Sequence, residues 1–115
     1  MATPLFRVAL GFVLSGGAAA AFADGPAFDC AKADGSVEEM ICTDPELAML
    51  DRQLAVVYGQ AVAAIEALDA PGDSLAELRS FQRGWIKGRN ECWKADDQEA
   101  CVAAEYEQRI ATLQT

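Results

Sequence analysis

Three observations predict an all-α domain. Apolar residues recur at steps of three and four through two long runs, no stretch alternates with period two, and four cysteines lie in two local pairs behind a removable leader. The expected architecture is a long antiparallel helix hairpin with a short helix before it and a C-terminal helix after it. Disulfides staple it, and no sheet is expected.

The leader is set aside before any fold reasoning. Arg7 supplies its positive flank, Val8–Leu14 its apolar core, and Ala21-Phe22-Ala23 a small-x-small cleavage site. The stretch from Val8 to Ala23 falls short of the roughly 18 to 20 apolar residues that a spanning helix needs. Residues 1–23 are therefore expected to be a cleaved signal peptide and residues 24–115 a single domain. No cysteine stands near Ala23, so no lipid attachment and no stable membrane anchor are expected. Export to the periplasm or beyond follows.

The mature part opens irregularly, with Gly25-Pro26 as punctuation. Ser36-Val37-Glu38-Glu39 has the form of a capping box, in which the Ser side chain accepts from free amides and Glu39 reaches back. It opens a short helix that ends near Cys42. Thr43-Asp44-Pro45-Glu46 has the same form and tolerates Pro in a first turn. Leu47, Leu50, Leu54, Val57, Tyr58, Ala61, Ile65 and Leu68 then make one apolar stripe, which stops at Ala70-Pro71-Gly72.

Ser74-Leu75-Ala76-Glu77 is a third capping box. Leu75, Leu78, Phe81, Trp85, Ile86 and Cys92 form the next stripe, to about Trp93. Gly84 and Gly88 weaken this helix and suggest close packing against a neighbour. Asp96-Asp97-Gln98-Glu99 starts the last helix, where acids favour the N-terminal dipole; Val102, Tyr106, Ile110 and Leu113 are its apolar face.

Four cysteines permit three pairings. Placed on these helices, Cys92 ends one and Cys101 begins the next, so a bond between them staples a corner. Cys30–Cys42 likewise ties the irregular start to the short helix. Zinc is disfavoured, because neither pair has the C-x2–4-C spacing of structural sites.

The chain contains no histidine, which removes the commonest general base and the Ser-His and Cys-His nucleophile pairs. Carboxylates are plentiful, but nothing places two of them in a cleft, so no catalytic site is expected. The Asp96–Glu99 run lacks calcium-loop spacing. No cofactor or metal is expected. Asp51 and Arg89 stand at nearly equal distances from the Pro71 turn. They should reach the same height of the hairpin, where they either pair, with Arg able to bind the carboxylate bidentately, or stand as two separately solvated side chains.

Nine Lys and Arg against eighteen Asp and Glu give a formal net charge of −9, one unit more negative once Arg7 leaves with the leader. Such a balance excludes nucleic acid and anionic membrane as natural partners. It suits a basic partner, and it also serves solubility alone.

Asp29-Cys30, Val37-Glu38-x-x-Ile41-Cys42 and Asp44-x-x-Leu47-x-x-Leu50-Asp51-x-x-Leu54-x-x-x-Tyr58 together resemble the LprI-type lysozyme inhibitor family. Gln82-Arg83-x-Trp85, Arg89-Asn90-x-Cys92, Cys101, Tyr106 and Arg109-Ile110 agree with it. The resemblance covers essentially the whole mature chain. It implies an exported all-helical bacterial domain whose relatives include inhibitors of lysozyme, rather than an enzyme. It makes Asp51, Tyr58, Trp85 and Arg89 structural motif residues. The expected partner is then a lysozyme, c-type suspected, or another basic envelope protein. Charge density nominates Glu38, Glu39, Asp44, Glu46, Asp96, Asp97 and Glu99 as contacts. The alternative is a periplasmic interaction module without inhibitory activity.

Overall fold

The computed structural model describes residues 24–115; the leader and its cleavage site lie outside the described residues. A 3-10 turn at Cys30–Lys32 leads into α1 (Ser36–Thr43), α2 (Pro45–Glu66) and α3 (Gly72–Asn90). A second 3-10 turn, Glu91–Lys94, joins α3 to α4 (Gln98–Gln114). Among the described residues there is no strand.

Side-chain neighbours give the directions. Gln82 bonds Arg109 and the Trp85 indole bonds the Glu105 carbonyl, so α3 and α4 run antiparallel. Leu54, Tyr58, Gln82 and Arg89 line one cavity between α2 and α3, as expected of antiparallel neighbours. Leu47 and Leu50 meet Ala100 and Ala103, while Val57 and Ala61 meet Leu113, so α2 and α4 run parallel. The most extensive helix contact is this parallel one, rather than the contact within the hairpin.

The core sits at one end of the molecule. Val37, Ile41, Leu47, Leu54, Val57, Cys92, Val102, Tyr106 and Ile110 form it, drawn from α1, α2, the second 3-10 turn and α4. Phe81 of the expected α3 stripe is 62% exposed although its neighbour Gln82 reaches α4, and beyond the core end of the α2 stripe Leu68 remains 54% exposed. For Leu68 the reason is coverage. Helix α4 ends at Gln114, beside Gln60 and Ala64, so the outer end of the hairpin has two helices and no third to close over it.

Three helix starts differ from the capping-box reading. Gly35, at φ 89°, ψ 167°, is the N-cap of α1. This backbone region belongs almost only to glycine. It puts Ser36 inside the helix, and Glu38 rather than Glu39 reaches back, to the Asp34 amide at 2.9 Å. Asp44, not Thr43, caps α2, accepting from the Glu46 and Leu47 amides. Pro45 forces the residue before it out of the helical region, so the break must fall on Asp44. Thr43 instead donates back to the Glu39 and Met40 carbonyls. Helix α3 begins at Gly72 behind Pro71 with no side-chain cap, which leaves Ser74 and Glu77 within it. The expectation for α4 holds in kind: Asp97 accepts from the Ala100 amide.

Gly84 and Gly88 do not mark close packing. A Cβ built at either meets nothing within 4 Å.

Candidate functional site

Both nearest-neighbour disulfides form, Cys30–Cys42 with Cα atoms 5.9 Å apart and Cys92–Cys101 at 5.7 Å. They tie the first 3-10 turn to α1 and the second 3-10 turn to α4. Arg89, the one buried residue of α3, is 4% exposed and needs a partner for every donor it can place. Its Nη2 donates to Glu38 Oε2 at 3.0 Å, and its Nε and Nη2 both donate to Asn90 Oδ1. Nη1 donates to the Tyr106 hydroxyl at 3.1 Å, which in turn donates to Asp51 Oδ1 at 2.7 Å. The rings of Phe28 and Trp85 stand 6.0 and 5.6 Å from the guanidinium, within cation–π range.

The direct Asp51–Arg89 pair is therefore corrected. The two residues do share a height and a site, but the ion pair of Arg89 is with Glu38, and one phenol bridges it to Asp51. Helix α4 supplies that phenol, and it occupies the space a direct contact would need. Burial pushes the Tyr106 hydroxyl well above the ordinary range for tyrosine, so it remains a donor.

Asp51 also holds the segment that precedes the first 3-10 turn. Its Oδ2 accepts from the Ala27 amide at 2.7 Å, and Arg52 donates to the Asp24 and Gly25 carbonyls at 2.9 and 2.8 Å. The N-terminal segment thus lies across α2. A cavity of about 290 Å³ lies between that segment, α2 and α3, walled by Phe28, Leu54, Tyr58, Trp85 and Ile86, with Asp51 and Arg89 lining it. All four structural motif residues touch this one space. Their charges are already engaged inside the protein, so the cavity reads as a joint between elements. Nearby, the buried Arg109 Nη2 has no hydrogen-bond partner among the described residues, and burial holds Arg109 below its usual value.

The nominated acids separate into three groups. Glu38 leaves the surface set, since its side chain is 21% exposed and committed to Arg89. Glu39 and Asp96 are exposed. Asp44, Glu46, Asp97 and Glu99 converge, because α2 and α4 are parallel and begin at the same end. The Asp44 carboxylate is held below its ordinary value by a hydrogen bond with Glu99 and by the Leu47 and Glu46 amides. Glu99 is raised by that same bond and by the charges of Asp44, Glu46 and Asp97. Two sequence-distant acidic runs thus form one acidic end over two positive helix termini. The sequence places Tyr106 on an apolar helix face and among the residues of the family resemblance. Its polar role carried no sequence signal, because its partners lie 17 and 55 positions away.

Fold and site define a small disulfide-stapled helical module, organised around a buried arginine and presenting an acidic end. The chain belongs to the lysozyme inhibitor LprI family, whose model matches residues 30–113. It is 30% identical over 89 residues to lipoprotein LprI of Mycobacterium bovis and to lipoprotein LprI of Mycobacterium tuberculosis. The aligned region is 77% of this chain and 41% of each relative, so the chain spans less than half the length of these proteins. No solved structure matches.

Proposed function

We propose that this protein binds a basic lysozyme of the c type through its acidic end and blocks substrate access by occupying space rather than by chemistry. The observation that carries this reading is the convergence of Asp44, Glu46, Asp97 and Glu99 at the start of two parallel helices, in a chain of net charge −9. Opposite charge raises encounter rates and fixes orientation, so a compact acidic end is a stronger lure than scattered acids. Family membership supports lysozyme as the partner. The test is lysis of bacterial cell walls by a c-type lysozyme with increasing amounts of the purified protein. Lysis should fall as protein is added; unchanged lysis at large molar excess sinks the reading for that lysozyme class.

The setting we propose is the periplasm or the exterior, reached after cleavage following Ala23. Two disulfides fit an oxidising compartment. Among the described residues no helix is long and apolar enough to cross a membrane. N-terminal sequencing of the exported protein should begin at Asp24. A second reading keeps the same acidic end but assigns it to another basic envelope protein, without inhibition.

A further inference from the structure

The acidic end does not stop at the helix starts. It runs into a groove of about 270 Å³ along the seam of α2 and α4. The walls carry Glu46, Glu99 and Glu107, and the surface between them is apolar, including Leu50, Ala100 and a Met49 that is 50% exposed. No basic side chain lines it.

We infer that this groove receives a single lysine or arginine side chain of the protein partner, its methylenes on Met49, Leu50 and Ala100 and its charge beside Glu107, within the field of Glu46 and Glu99. The inference deepens the docking reading above and rests on it.

Three observations support this occupant. Lysine and arginine combine an apolar stem with a charged head, the same combination the groove offers in complement. Glu46 and Glu99 have a structural use as acids near helix N-termini, but Glu107 lies in the middle of α4, where the dipole offers nothing. Glu107 takes part in neither ion pair found among the described residues, so its charge is uncommitted there. The volume falls just below the roughly 300 to 1,000 Å³ of small-molecule sites, which suits one side chain better than a free ligand. A metal ion is disfavoured, since no group of three His, Cys, Asp or Glu among the described residues is close enough to hold one. The acids line a trough instead of converging on a point. Crowding already raises Glu99. An incoming cation relieves that repulsion.

The test uses the disulfide-intact protein and a short synthetic peptide of alternating lysine and leucine, followed by amide chemical shifts. Shifts should concentrate at Met49, Leu50, Ala100 and Glu107. Glu107→Lys and Ala100→Trp should each weaken peptide binding at least tenfold, while Glu77→Lys, an equal charge change on exposed α3, should weaken it less than threefold. Glu107→Gln, which perturbs the helix least, should fall between. Shifts centred elsewhere, equal losses for Glu107→Lys and Glu77→Lys, or full binding by Ala100→Trp would overturn the inference. The lysis assay separates the two proposals. Peptide in the groove without lysis inhibition sustains the groove and removes lysozyme. Full inhibition by both Ala100→Trp and Glu107→Lys sustains lysozyme and removes the groove.

Discussion

Arg89 shows what a buried charge demands of its neighbours. Four hydrogen bonds and three aromatic rings surround it, and its ion pair with Glu38 joins α1 to α3 across 51 positions of sequence. Tyr106 is the joint that extends this network to Asp51 and α2. Tyr106→Phe leaves the ring packed but strands Asp51 Oδ1 and one guanidinium donor. It should cost about 1 to 3 kcal/mol in urea unfolding at neutral pH. The same phenol makes stability depend on alkaline pH. Its value in the folded protein is raised by burial, so the folded state holds the proton more tightly than the unfolded chain. That contribution is complete below the unfolded value of about 10 and is lost as pH rises through the folded value. Urea midpoints measured from pH 8 to 11 should therefore fall more steeply for the wild type than for Tyr106→Phe. Parallel profiles would show that ionisation of this phenol is not linked to folding. The height shared by Asp51 and Arg89 could be counted from the Pro71 turn. The phenol between them could not, because nothing local sets the register of α4 against α2.

Among the elements, helix lengths and faces were legible and helix starts were less so. Periodicity located the three longer helices, since a stripe at steps of three and four states which side is apolar, and a capping pattern located the short α1. Caps were misplaced by one to three residues, because Ser, Thr and Asp all cap well and the backbone chooses the start. Pro45 decided for Asp44, and Gly35 displaced Ser36. The glycines give opposed expectations. Gly35→Ala meets no steric obstacle but imposes a glycine-only backbone on alanine, and should destabilise by about 1 to 3 kcal/mol. Gly84→Ala and Gly88→Ala enter an ordinary helix with open space around the new methyl. Each should stabilise by about 0.5 to 1 kcal/mol. Thermal denaturation of the three variants decides it, and a stabilised Gly35→Ala would contradict the assigned backbone. Spacing left three cysteine pairings open, whereas helix placement pointed to the pair that forms, because each bond spans only one corner.

For the whole molecule, the arrangement of helices turns composition into location. A net charge of −9 says that a basic partner is acceptable, but not where it docks. Parallel α2 and α4 put two acidic runs at one end, while Glu38 is withdrawn to serve Arg89. If exposed charge guides docking, inhibition of lysozyme should weaken steeply as salt shortens the screening length from about 10 Å at 0.1 M to about 3 Å at 1 M. Inhibition unchanged across that range would assign the affinity to apolar contact instead.

The sequence by itself determined the all-helical class, the disulfide-stapled strategy, the faces of the helices and the family. Each follows from local spacing or from residue types that act over a few positions. Only the tertiary structure decided that α4 packs parallel to α2, that Tyr106 bridges Asp51 and Arg89, and which acids face solvent together. These depend on the register between helices far apart in the chain. Register is settled by how side chains from all of them fill one core, and no single segment carries that information.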